Sequence, residues 1–95
     1  MALFLIKVSF IDDTDKRMSV RPQHREFLKD LYDTGRLYAA GPFLDDKGGI
    51  SIYDVADLAE AEATLATDPY TMNGIFATTE IREWNPIFSR TPVEA

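Results

Sequence analysis

Residues 21 to 42 read RPQHREFLKDLYDTGRLYAAGP, and the order of signals in this stretch decides the fold. His24, Phe27, Leu28 and Leu31 recur at i, i+3, i+4 and i+7, which places them on one stripe of a helix. Arg25, Glu26, Lys29, Asp30 and Asp33 take the remaining surface, with Lys29 and Asp33 one turn apart. Gly35 offers the left-handed residue that ends a helix. Leu37 to Leu44 then reads as a strand that carries Gly41-Pro42. The stretch also holds the only histidine of a chain with no cysteine, so proton transfer near neutral pH falls to His24.

N-terminal to this stretch, Phe4, Ile6, Val8 and Phe10 alternate with Leu3, Leu5, Lys7 and Ser9, the period of a strand. Asp12 to Lys16 reads as a polar loop, with the helix starting near Ser19 and Pro22 in its first turn. C-terminal to it, Asp45-Asp46-Lys47-Gly48-Gly49 has the composition of a turn, and Ile50 to Val55 completes a hairpin. Asp57 caps a second helix with Glu60 as its capping-box partner, and Leu58, Ala61 and Leu65 form the buried stripe. Pro69 disfavours helical backbone at Asp68 and ends that helix. Tyr70 to Ile75 is expected as a loop, and Phe76 to Trp84 as the last strand.

The order βαββαβ predicts an α+β, ferredoxin-like split-βαβ sandwich, with two helices on one face of an antiparallel four-stranded sheet. Residues 1–86 form that domain and 87–95 an irregular C-terminal arm. Leu3, Leu5, Tyr38, Tyr53 and Trp84 are expected on the uncovered sheet face, which predicts a homodimer closed through it.

Composition narrows function. Residues 1–50 carry 8 acidic and 8 basic residues and residues 51–95 carry 8 and 2, so the net charge of −6 comes from the second half. An acidic chain with no basic stripe excludes nucleic acid as a partner. Nothing in the sequence spans a membrane, MALFLIKVSF is too short for a signal peptide, and the lack of cysteine fits the cytoplasm. Glu60 and Glu62 read as a solvated helix face, so no metal and no cofactor is expected.

In the split-βαβ topology the start of the first helix, the end of the second and the hairpin after Gly41-Pro42 meet at one end. His24, Asp68, Gly41 and the segment Tyr70 to Gly74 therefore converge. A carboxylate facing the imidazole accepts one ring N–H, fixes the tautomer and stabilises the protonated ring. Gly41 allows close approach of backbone to a ligand, Pro42 stiffens the strand end, and Tyr70 and Met72 are expected to wall a pocket for a flat, partly apolar molecule. Each signal also has an ordinary structural reading: a satisfied helix histidine, an Asx turn at Asp68, a turn at Gly41-Pro42.

Taken together the motifs are similar to those of the YCII-related (YciI-like) family. They are Arg21 and His24; Gly35, Leu37, Gly41 and Pro42; Gly48 and Gly49; Glu60 and Ala61; Asp68, Pro69, Tyr70 and Gly74. The resemblance covers about residues 2–85. It implies a dimeric α+β barrel of the muconolactone-isomerase type, a His24–Asp68 dyad, and cofactor-free elimination of chloride from a chlorinated hydroxyhydroquinone. The expectation is an acid–base enzyme in which His24 accepts the proton and Asp68 orients it, a lyase or, second, an isomerase. The alternative is a metabolite-binding or dimerisation module without catalysis; a haem-dependent or cofactor-free monooxygenase on the same fold, with His24 as the haem ligand in the first case, is a third reading.

Overall fold

In a computed structural model that describes residues 2–90, the elements run β1 (Ala2–Phe10), α1 (Thr14–Asp33), β2 (Leu37–Pro42), β3 (Gly48–Val55), α2 (Leu58–Ala66), α3 (Pro69–Met72) and β4 (Phe76–Trp84). The four strands form one sheet in the order β2-β3-β1-β4, and every neighbouring pair is antiparallel. This is the ferredoxin-like α+β sandwich expected from the element order. Of the arm at 87–95, the part to Arg90 is irregular, and 91–95 lie outside the described residues.

The core lies between sheet and helices. Phe4 and Ile6 from β1, Tyr53 and Val55 from β3, Leu37 from β2, Leu31 from α1, and Ala61 and Leu65 from α2 form one buried cluster. Tyr53 was expected on the opposite face, but it sits across from Phe4 and Leu37 in the strand registers and is only 1% exposed. The reason is register: Tyr53 pairs with Phe4 and Ser51 with Ile6, which turns Ser51, Tyr53 and Val55 to the helices and Ile50 and Ile52 away. Leu58, expected in the buried stripe of α2, is 49% exposed, and Thr64 takes its place beside Ala61 and Leu65.

Three boundaries differ from the sequence reading, each for a local reason. α1 begins at Thr14, because the Asp13 side chain accepts the Lys16 N–H at 3.0 Å and caps the helix a full turn before Ser19. Pro22 therefore sits inside the helix, not in its first turn. Gly48 and Gly49 belong to β3, and the turn is the segment before them, where Asp46 holds a positive φ of 60°. The Asp68-Pro69 step ends α2 as expected, but Pro69–Met72 is a short helix, not loop.

Beyond β4 the chain returns across the sheet. The Tyr38 and Ser89 hydroxyls are 3.1 Å apart, which joins the segment after one edge strand to the strand at the other edge. Leu3, on the sheet face away from the helices, is buried at this end.

The two hairpin glycines have a steric role. A Cβ on Gly48 would run into the Val8 carbonyl oxygen, and one on Gly49 would lie 2.7 Å from the Gly41 carbonyl oxygen and 3.1 Å from the Pro42 Cα. Backbone cannot step aside as a flexible side chain can. Gly48→Ala and Gly49→Ala are therefore expected to cost about 1–3 kcal/mol in denaturant unfolding. Gly41→Ala, whose Cβ would meet nothing within 4 Å, should change stability by less than about 0.5 kcal/mol.

Candidate active site

His24 stands on α1 between Arg21 and Arg25 and turns toward the segment that joins α2 to α3. Its Nδ1 lies 2.8 Å from Asp68 Oδ1, with the histidine side chain 15% exposed and the aspartate 3%. The same Asp68 oxygen accepts the Tyr70 backbone N–H at 2.8 Å. Asp68 is thus the N-cap of α3: extended backbone at φ −62°, ψ 128°, then Pro69 in the first position, where its missing N–H costs nothing. The turn that presents Asp68 to the imidazole also sets the Tyr70 ring parallel to it, with centroids 3.8 Å apart and planes 7° apart.

A carboxylate accepts but does not donate, so in the neutral ring the proton sits on Nδ1 and the Nε2 lone pair is left for another partner. The imidazole borders a cavity of about 300 Å³. Ile6, Val8, Phe10 and Leu28 give it apolar walls, and Ala40, Gly41 and Pro42 form its β2 side. Phe10, Tyr70 and Phe76 brace one end in edge-on and stacked contacts at 5.7–6.3 Å between centroids.

The structure brings together His24, Asp68, Gly41, Pro42 and Tyr70, all of which line this cavity. Met72 is the exception. It lies on the outer side of α3, 72% exposed, and does not border the cavity, because a four-residue helix that buries Tyr70 turns Met72 to solvent. Asn73 bonds back to the Pro69 carbonyl and serves the end of α3.

Sequence reading missed two groups. One is Tyr53, which borders the cavity from the core side; burial, with the Asp68 charge in second place, pushes its phenol ionisation well above the ordinary range. The other is the arginines of α1. Arg17, only 6% exposed, bonds Asp46 at 2.6 Å and lies over the Phe10 ring at 4.6 Å. Arg21 and Arg25 stand one and two turns further along and also border the cavity. The signal in the sequence is their spacing of four, which puts them in one column on the helix.

Compared with known proteins, residues 2–85 match the model of the YCII-related domain. Protein YciI of Escherichia coli O6:H1 is 32% identical over 87 residues, covering 81% of this chain and 89% of that protein. An uncharacterised protein of Haemophilus influenzae is 32% identical over 84 residues, with 78% and 86% covered. Among solved structures, 5-chloro-2-hydroxyhydroquinone dehydrochlorinase (TftG) from Burkholderia phenoliruptrix, in complex with 2,5-dihydroxybenzoquinone, superposes with a TM-score of 0.77 at 26% identity, over 87% of this chain and 93% of that one. A putative antibiotic biosynthesis monooxygenase from Bacteriodes thetaiotaomicron, at 12% identity and a TM-score of 0.65 over 98% and 95% of the two chains, shares the fold.

Two outcomes follow from the geometry. Nitrogen-15 NMR of the single histidine should find the neutral ring protonated on Nδ1; an Nε2–H tautomer would remove the Asp68 contact from solution. The second concerns Arg17 and Asp46. The guanidinium holds the Asp46 carboxyl below its ordinary value of 3.8, so the pair stabilises the fold in full above that pH, and the contribution is lost as acid protonates Asp46 in the folded protein. Wild type and Asp46→Asn should therefore differ in denaturant midpoint near pH 6 and converge as the pH falls below about 4.

Proposed function

The chain belongs to the YCII-related family, and we propose that it is a cofactor-independent acid–base enzyme in which His24 and Asp68 act on a small cyclic molecule held in the cavity. The observation that carries the reading is the 2.8 Å contact between two sequestered side chains, His24 and Asp68, at the wall of a cavity. A histidine kept for structure alone needs no such space on its ring.

Nε2 of His24 takes the substrate proton, and the fixed charge of Asp68 stabilises the imidazolium that results. Asp68 has no need to accept that proton itself. Tyr70, stacked on the ring, prevents it from swinging away from Asp68.

The preferred reaction is the one named for TftG, elimination of HCl from a chlorinated hydroxyhydroquinone. One proton shifts within the substrate from oxygen to the ring carbon that bears chlorine. A second leaves a ring hydroxyl for His24, its O–H electron pair forms the quinone C=O, the ring C=C pair this displaces forms a new C=C to the carbon bearing chlorine, and chloride departs with the pair from the C–Cl bond. The products are a hydroxyquinone, chloride and a proton, so no outside oxidant or reductant is required. Isomerisation of a related ring compound uses the same proton transfer without a leaving group. The proposal includes a homodimer closed through the sheet face that carries Leu5, Ile50 and Ile52, tested by the elution volume of Ile52→Glu.

The test is turnover of chlorinated hydroxyhydroquinone, followed by chloride release. His24→Ala should lose at least about a hundredfold with its circular dichroism unchanged. Asp68→Asn keeps an oxygen to cap α3 but removes the charge, so it should lose roughly tenfold or more and still fold. Unaltered chloride release in His24→Ala would leave a metabolite-binding or dimerisation module as the function.

A further inference from the structure

α1 carries a cation at every fourth position from Arg17 to Lys29: Arg17, Arg21, Arg25 and Lys29. Residues four apart are neighbours on a helix surface, so the column sets like charges against one another and destabilises the helix unless anions compensate. Both ends are compensated. Arg17 bonds Asp46 and Lys29 bonds Asp33, each at 2.6 Å. Among the described residues the two middle ones form no ion pair: Arg21 lies within the field of Asp46 and its one side-chain hydrogen bond is to the Met18 sulfur at 3.3 Å, and Arg25 has no carboxylate at salt-bridge distance.

These two guanidinium groups border the cavity beside His24, and their fields reach the Tyr70 hydroxyl. The carboxylates there are already engaged, Asp46 by Arg17 and Asp68 by His24. The cavity of a chain with net charge −6 is therefore lined by two guanidinium groups that form no ion pair among the described residues. A second, separate observation comes from the core side. Tyr53 is 1% exposed and borders the cavity, and no hydrogen bond among the described residues uses its hydroxyl. Yet no fully buried side-chain oxygen or nitrogen among those residues lacks a partner. The Tyr53 hydroxyl is then not fully enclosed, and its residue borders the cavity from the core side. Burial keeps it protonated, a donor at neutral pH.

We infer that the cavity selects a flat organic anion, an ionised phenol or enol with its negative oxygen between Arg21 and Arg25 and a second oxygen at the Tyr53 hydroxyl. The inference rests on the cavity as a ligand site and not on catalysis by His24. An ionised oxygen supplies the middle of the column with the counter-charge that Asp46 and Asp33 supply at its ends. The apolar walls formed by Ile6, Val8 and Leu28 then favour a carbon ring over a hydrated inorganic anion. Ionisation also enriches the ring in electrons, which eases departure of chloride in the elimination proposed above. Arg21, Arg25 and Tyr53 are in this reading the residues that decide which molecules enter.

The experiment is calorimetric titration of the protein with 2,5-dihydroxybenzoquinone, a vinylogous acid ionised at neutral pH, against its neutral dimethoxy counterpart of similar shape and against inorganic phosphate. The dihydroxy compound should bind at least tenfold tighter than either. Arg21→Gln and Arg25→Gln should each weaken it by roughly tenfold, and Tyr53→Phe by several-fold, while binding of the dimethoxy compound stays the same. Thermal stability gives a control that a structural role would fail. Without ligand, Arg25→Gln should be as stable as wild type or more so, because it relieves repulsion in the column. Equal binding of the charged and neutral quinones, no binding of either, or phosphate as tight as the quinone overturns the inference. So does a loss of stability in Arg25→Gln that matches its loss of binding. Binding is read here without turnover, so failure of the dyad, which shows in chloride release, and failure of the anion site are told apart.

Discussion

One carboxylate oxygen ties this protein together. Asp68 Oδ1 accepts both the Tyr70 N–H and the His24 Nδ1–H. The first bond starts α3 and the second fastens α3 to α1. A four-residue helix is far below the length at which helix is stable by itself, so α3 persists through its tertiary contacts. Those contacts are the Tyr70 ring against His24, Phe10 and Phe76. The helix cap and the candidate dyad are therefore formed by one event. Either half placed wrongly would leave a nearly inaccessible carboxylate short of a partner, which proteins tolerate poorly.

The same constraint explains why proline follows aspartate. Pro69 keeps Asp68 in the extended region, away from helical backbone, so α2 stops and the aspartate side chain is free to turn back over the new helix start. The chain direction changes between Ala66 and Pro69, and Tyr70 comes under the imidazole as a result. From the other side, Arg17 joins α1 to the β2–β3 turn through Asp46. The cavity is held between these two ties, one acidic group on each.

Much of this was legible in the sequence, because it depends on short-range rules. Period-two alternation in β1, the i, i+3, i+4, i+7 stripe around His24, Gly35, the Asp57 cap and the Asp68-Pro69 break placed all four strands and both long helices. The βαββαβ order alone then brought His24 and Asp68 to one end. What was not legible depended on crowding between strands or on competition between weak signals. Gly48 and Gly49 look like turn residues until β1 and β2 lie against them, and Tyr53 turns inward only through its pairing with Phe4 and Leu37. Asp13 and Ser19 are both acceptable caps, and the helix takes the earlier one, where Asp13 accepts the Lys16 N–H and Arg17 packs over Phe10. Met72 and Tyr70 both suit a pocket wall by composition, yet they point oppositely on a helix too short to be read from periodicity.

Charge shows most plainly how local arrangement outweighs composition. By total count the protein is acidic, and nucleic acid needs an extended basic stripe on a chain of favourable charge. The arginines of α1 matter at a smaller scale, where each is judged by its nearest carboxylate. The acidic excess lies in residues 51–95, whereas the cations of α1 lie in the balanced first half. Asp33 and Asp46 neutralise the ends of that column and leave its middle. Net charge sets the long-range field, which repels an approaching anion and is screened by salt. At contact distance the two guanidinium groups dominate over the distant carboxylates, since Coulomb energy falls with separation and is strongest where protein excludes water. An acidic protein can thus hold an anion site when its acidic residues lie elsewhere.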